Sequence, residues 1–171
     1  VDLFWASGCC IFVRNQVFKE VGGFDTDYFA HQEEIDLCWR INNYGYLIRV
    51  IPESIVYHFG GGSLPYGSYF KSYLNFRNSL FNLFKNLKKR HLFYILPIRM
   101  VLDGVAGIHS VVKTKNFLTF KSILHAHFSF YFAIPRLIQK RMTIMHKGYP
   151  KTTLKKYILL DYYIYKCRFF S

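Results

Sequence analysis

Charge is divided along this chain more sharply than any other property, and the division constrains how it can fold. Residues 1–63 hold 4 Lys/Arg against 8 Asp/Glu, a net of 4 − 8 = −4. Residues 64–171 hold 19 against 2, a net of 19 − 2 = +17. Two regions of opposite sign meet near Ser63, at the end of the run Gly60-Gly61-Gly62-Ser63. With 171 residues the chain makes one domain or parts of two. Its 51% apolar content excludes disorder for most of the length, and an aromatic share of 20% points to surfaces that meet something apolar.

The cysteines are Cys9, Cys10, Cys38 and Cys167. An adjacent pair makes a poor disulfide and a poor zinc site, so they read as small apolar fillers in a reduced, cytoplasmic compartment. No signal peptide is visible, and the chain begins at Val1 inside what reads as a strand. It is therefore expected to be the C-terminal piece of something longer. No uncharged apolar stretch reaches the ~18 residues of a bilayer span. The nearest are Ser122–Pro135 and Leu92–Val112, the latter interrupted by Arg99 and Asp103. Aromatic, basic helices lying on a membrane are expected rather than a spanning helix.

The first region alternates strand and helix signals. Asp2–Trp5 and Cys9–Val13 read as strands around Ala6-Ser7-Gly8. Asn15–Glu20 reads as a short helix stopped by Gly22-Gly23, and Glu33–Tyr44 as a helix closed by Gly45. Tyr46–Ile51 and Ser54–Tyr57 are further strand candidates. This is α/β material, but half a sheet cannot complete such a domain. In the second region Pro65–Lys89, His91–Val112, Phe117–Lys140 and Thr152–Phe169 read as helices. Pro97 and Pro135 are expected to kink or end theirs.

The densest polar cluster is Glu33-Glu34-Ile35-Asp36 at a helix N-terminus. Three carboxylates so close repel one another, and the helix dipole offsets this only in part. Spacing alone is equally met by an acidic first turn on a solvated helix. Asp36 has Arg40 four residues on, at salt-bridge spacing, whereas Glu33 and Glu34 have no such partner and are the better catalytic candidates. His58 ends a strand candidate before three glycines that let a ligand approach closely. Asp25-Thr26-Asp27 has metal-binding spacing but sits where a turn wants such residues. Trp39, on the helix side away from the acids, reads as core, and His125 and His127 as packing residues.

Taken in order, Ser7-Gly8, Val21-Gly22-Gly23-Phe24-Asp25, Phe29, Glu33-Glu34-Ile35-Asp36-Leu37, Arg40, Gly45, Ile51-Pro52, His58 and Gly61-Gly62-Ser63 resemble the C-terminal half of a family 2 glycosyltransferase. The resemblance is to the GT-A (Rossmann-like) fold, in the branch with bacterial rhamnosyltransferases and galactofuranosyltransferases. It extends over about residues 1–80, including Tyr73, Arg77 and Asn78. It implies an inverting transfer from a nucleotide-sugar donor to a glycan or lipid-linked acceptor in cell-surface polysaccharide synthesis. Glu34 would be the general base, one methylene longer than the Asp more usual there, with Glu33 supporting it and Asp36 in the same acidic group. His58 would bind a divalent ion, Mg²⁺ or Mn²⁺, on the donor diphosphate. Ser7, Gly8, Gly61, Gly62 and Ser63 would lie near substrate, and Asp25 in a surface turn. The nucleotide pocket would lie upstream of Val1.

Residues 1–63 are thus expected to be the acceptor side of a catalytic domain, and residues 64–171 a basic helical region. The latter's +17 charge, interleaved with Phe and Tyr, suits an anionic membrane surface better than nucleic acid, for which no motif is present. Plain helical packing with a solvated basic face is the other reading. The implied location is the cytoplasmic face of a bacterial membrane. The rival function is a non-enzymatic basic adaptor that binds membrane or nucleic acid.

Overall fold

The computed structural model describes residues 2–58, 65, 67–144 and 166. Their order is β1 (Asp2–Leu3), α1 (Asn15–Glu20), a 3₁₀ turn (Thr26–Tyr28), α2 (Glu33–Asn43), β2 (Ile48–Arg49), α3 (Tyr69–Asn86), α4 (Lys89–Thr114) and α5 (Phe117–Thr143). The expected helix Thr152–Phe169 (apart from Lys166, which has a positive φ), Cys167 and the Gly61-Gly62-Ser63 run lie outside the described residues.

Helices form where local chemistry asks for them. α2 ends in a left-handed Gly45 (φ 90°), where the Gly45 N–H reaches Asn42 O and the Tyr46 N–H reaches Ile41 O. These bonds satisfy carbonyls that the helix end leaves open. The Ser68 and Asn116 side chains accept from Lys71 N and Thr119 N to cap α3 and α5. Pro97 and Pro135 end neither helix. Both prolines, and the residues four before them (Phe93 and Tyr131), are exposed, so the carbonyl freed by each missing N–H is on the outer side.

The sheet is smaller than expected. Among the described residues it is one antiparallel ladder, with Asp2 opposite Arg49 and Leu3 opposite Ile48. Cys9–Val13 and Ser54–Tyr57 form no ladder, because a strand needs a neighbour to bond. Their apolar side chains are left open, including Phe12 and Tyr57 at 95% exposure each.

α3 is the central element. One face packs on α5 through Leu80, Phe81, Phe130, Ala133 and Leu137, a buried cluster that also takes in Tyr28. A smaller cluster of Val17, Val21, Leu37 and Ile41 joins α1 to α2. α4 folds back along α5, and at Gly107 the two come close enough that a Cβ would meet the Phe120 ring at 2.9 Å. The acidic and basic regions share packing, with the Tyr28 ring in the core of the helical layer.

Candidate functional site

The four-residue acidic cluster is taken apart by α2. Asp36 points inward and is fully buried. Its Oδ1 accepts from Lys85 Nζ (2.8 Å), Asn86 Nδ2 (2.9 Å) and the Tyr28 hydroxyl (3.2 Å). Its Oδ2 accepts from Arg40 Nε at 2.9 Å. Both oxygens are engaged, which leaves Asp36 no open side for substrate. Lys85 also reaches Asp25 at 2.6 Å, Lys140 reaches Asp27 at 2.7 Å, and Arg136 reaches Asp27 at 2.9 Å. The −4 region is thus bolted to the +17 region by ion pairs between the 25–36 segment and α3 and α5.

Asp25 does sit in a turn, accepting from the Asp27 N–H at 3.0 Å. It is not at the surface, because α3 and α5 cover it and its side chain is only 10% exposed. Burial alone would raise its pKa. The Lys85 charge and hydrogen bonds from Lys140, Lys85 and the Asp27 N–H outweigh that and hold the carboxyl far below its ordinary range.

Glu34 faces the other way, toward the segment Phe4–Gly8. Asn42 Nδ2 donates to Phe4 O (2.9 Å), the Trp39 ring meets the Phe4 ring edge-on (5.2 Å), and the Ala6 backbone lies beside the Cys38 thiol. One step further along, Gly8 lies against Glu34. Positions 42, 38 and 34 of the helix match positions 4, 6 and 8 of the extended segment. The pitch fits: four helical residues rise about 6 Å and two extended residues about 6.6 Å. Trp39 is half-buried in this seam. Ser7 is exposed in the turn beside Gly8, its carbonyl accepting from Cys10 N at 3.2 Å.

Glu34 is half-buried, and burial raises its pKa above the ordinary 4.5. Backbone N–H groups of the helix start pull it down in part, and the charge of Glu33 pushes it further up. Beside it, Glu33 Oε2 and His31 Nε2 are buried without a hydrogen-bond partner among the described residues.

The loop that aims α2 is strained. Phe29, His31 and Gln32 all have positive φ (61°, 67° and 69°), a region costly for residues with a Cβ. A polar stripe on α3 holds it. Asn78 Nδ2 lies within hydrogen-bond distance of the carbonyls of Tyr28 (3.0 Å), Ala30 (2.9 Å) and His31 (2.7 Å). Asn82 Nδ2 reaches Gln32 O at 3.2 Å, and Arg77 reaches Asp27 O at 2.9 Å. The sequence alone gives Arg77 and Asn78 no role, passes over Asn82, and sets Lys85 in the basic run 85–91 suited to a membrane surface, whereas Lys85 is buried and paired with Asp25 and Asp36. The signal was present: Asn75, Asn78, Asn82 and Asn86 recur at helical spacing on one side of the helix.

The structure brings Gly8 against Glu34, with Ser7 and Glu33 as their chain neighbours, and turns Asp36 away. His58 is exposed in the stretch after β2. Among the described residues no group of three or more His, Cys, Asp or Glu side chains is placed to hold a metal ion. These residues alone do not build the implied metal centre. A cavity of about 420 Å³ lies beside the ion-pair network, lined by Phe24, Arg40, Lys85 and Lys140 among others. It excludes Glu33 and Glu34, and its cations are already paired with Asp25, Asp27 and Asp36.

Comparison with known proteins finds local similarity to rhamnosyltransferases. The chain is 43% identical over 54 residues to N-acetylglucosaminyl-diphospho-decaprenol L-rhamnosyltransferase of Mycobacterium tuberculosis, covering 32% of this chain and 18% of that protein. It is 28% identical over 112 residues to dTDP-rhamnosyl transferase RfbF of Shigella flexneri, covering 61% of this chain and 36% of the relative. It is 36% identical over 55 residues to rhamnosyltransferase WbbL of Escherichia coli K12, covering 32% and 21%. The chain thus spans about a fifth to a third of the length of these relatives. No family model matches, and no solved structure matches.

Proposed function

We propose that this chain carries the acceptor side of an inverting glycosyltransferase site, with Glu34 as the general base. The observation that carries this is the contrast within one helical turn. Asp36 is locked by four side chains, while Glu34 has no counter-ion among the described residues and is half-buried against Gly8, with its proton affinity raised. A sugar hydroxyl is a weak acid, and a carboxylate with raised pKa is the better acceptor for its proton. In the step proposed, the acceptor oxygen bonds to the anomeric carbon as its proton passes to Glu34. The bond to the departing nucleoside diphosphate breaks with that electron pair, and the anomeric centre inverts. Glu33 acts through Glu34 by its charge.

The names of the three relatives support rhamnosyl transfer, with a dTDP-activated donor the first to test and a lipid-linked glycan as acceptor. This is chemistry of cell-surface polysaccharide synthesis at the cytoplasmic face of the membrane. The open apolar residues Trp5, Phe12, Ile51, Ile55 and Tyr57 are what the rest of an α/β sheet would cover, which supports a GT-A arrangement for residues 1–63. Mg²⁺ or Mn²⁺ belongs to the same proposal, with His58 as one ligand and the others from outside the described residues. It would neutralise the leaving diphosphate.

The test is sugar transfer by the natural protein containing this sequence, with Glu34→Gln beside the wild type. Loss of turnover with donor binding intact supports the base. The adaptor reading instead requires that the wild type, well folded and supplied with nucleotide-sugar donors, transfer nothing.

A further inference from the structure

The outer surface of α4 has no role in that chemistry. From Phe93 to Ile108 every exposed residue on it is apolar, with Phe93, Ile98, Val101, Val105 and Ile108 between 55% and 86% exposed. This stripe is about 23 Å long at the helical rise. Tyr131, whose hydroxyl reaches Met100 Sδ at 3.7 Å, carries it onto α5. By length and composition α4 could cross a bilayer, yet little of it is buried in the protein.

Charge identifies the occupant. Over residues 69–144 Asp103 is the sole acid, and it is buried, bonded to Arg99 Nε (2.7 Å) and close to His127 Nε2 (3.4 Å). The exposed charges around the stripe are cations: Lys89 and Arg90 at one end, Lys113 and Lys115 at the other, and Lys121 on α5. Cations flanking an apolar, aromatic stripe fit anionic headgroups over an acyl boundary.

The same contacts decide the orientation. Arg99, midway along α4, donates to Ser79 Oγ of α3 at 2.6 Å. α3 in turn carries Lys85, Asn82 and Asn86, bound to Asp36 and the α2 loop. A spanning α4 would draw that ionic layer into hydrocarbon, at a cost of several kcal/mol per group. We therefore propose that α4 lies in the plane of an anionic bilayer, its Phe93–Ile108 face immersed and the α2 site held above the surface. This deepens the membrane part of the reading above and does not depend on Glu34 being the base.

The experiment is flotation of the full chain with vesicles of phosphatidylcholine containing phosphatidylglycerol, against phosphatidylcholine alone. The expected result is binding to the anionic vesicles, weakened at least tenfold by Val101→Glu with Val105→Glu, and in part by Lys113→Glu with Lys115→Glu, with helicity unchanged. Ile98→Trp and Ile108→Trp, read by brominated lipids against the background of native Trp5 and Trp39, should show the same shallow depth. A depth difference near the ~15 Å rise between those positions would mean a span and overturn the in-plane placement. A wild type that stays unbound, or a concentration-dependent dimer broken by the Val101/Val105 variant without vesicles, would overturn the membrane as occupant. Transfer to a soluble acceptor that survives in the vesicle-binding variants separates this proposal from the catalytic one.

Discussion

A Cβ atom at Gly8 would stand 3.5 Å from the Cβ of Glu34 and 3.9 Å from its carboxyl carbon. That is ordinary contact distance, so residue 8 has room for a methyl group, and a longer side chain there would lie beside the Glu34 carboxyl. Gly8→Ala should fold with near-normal stability and keep transfer. Gly8→Leu covers the carboxyl and should cut kcat by tenfold or more, with the fold intact by circular dichroism. Equal activity of the two variants would remove Gly8 from the site.

Lys85 is 1% exposed and neutralises both Asp25 and Asp36. Lys85→Met leaves two buried carboxylates short of their counter-ion. Breaking one side of a buried pair costs about 3 kcal/mol or more. A denaturant titration should show a loss of that size. A loss below about 1 kcal/mol would mean that Lys140 and Arg40 suffice.

Acid should loosen this junction. Asp25 has a folded pKa below its ordinary 3.8, so its contribution is present above that value and is lost as pH falls further. Glu34 has the opposite sign. Its folded pKa is raised above 4.5, so its ionisation at neutral pH opposes folding. Glu34→Gln should therefore melt above the wild type at pH 7, and this advantage should shrink toward pH 4. An equal or lower melting temperature at pH 7 would contradict the raised affinity.

The two N–H donors of the Asn78 amide lie within reach of three carbonyls of a loop with three strained non-glycine residues. Asn78→Leu has a similar volume but takes the donor away from the Ala30 and His31 carbonyls, while that of Tyr28 keeps Arg77; a buried carbonyl without a partner costs about 1–3 kcal/mol. We expect lower stability and, in the folded fraction, a lower kcat as α2 loses its aim. Unchanged amide exchange at residues 29–33 would argue that the loop is held by other means.

What was legible in the sequence was local. α2, its Gly45 stop and the run of helices from Tyr69 to Thr143 follow from apolar periodicity and caps that lie within a few residues. Strands depend on distant partners, and Cys9–Val13 and Ser54–Tyr57 have none among the described residues. The acidic cluster was visible, but its division was not. Arg40 at four residues was an evident partner for Asp36; Lys85, 49 positions away, was not, because only the packing of α3 on α2 brings it there. For the same reason the charge split looked like two regions rather than two halves of one interface. Pro97 and Pro135 end neither helix, and with their outer faces exposed the carbonyl each one frees is open to solvent.

The most direct test of the central claim is kcat for sugar transfer by Glu34→Gln and Glu34→Asp in the natural protein containing this sequence, with donor binding measured alongside. The account predicts loss of at least a hundredfold for Gln, partial activity for Asp, and unchanged donor affinity. Its acid limb, read in the wild type, should fall above pH 4.5, the ordinary value for this carboxyl. Near wild-type turnover by Glu34→Gln would contradict the account and leave Glu34 as one more acid in the first turn of a helix.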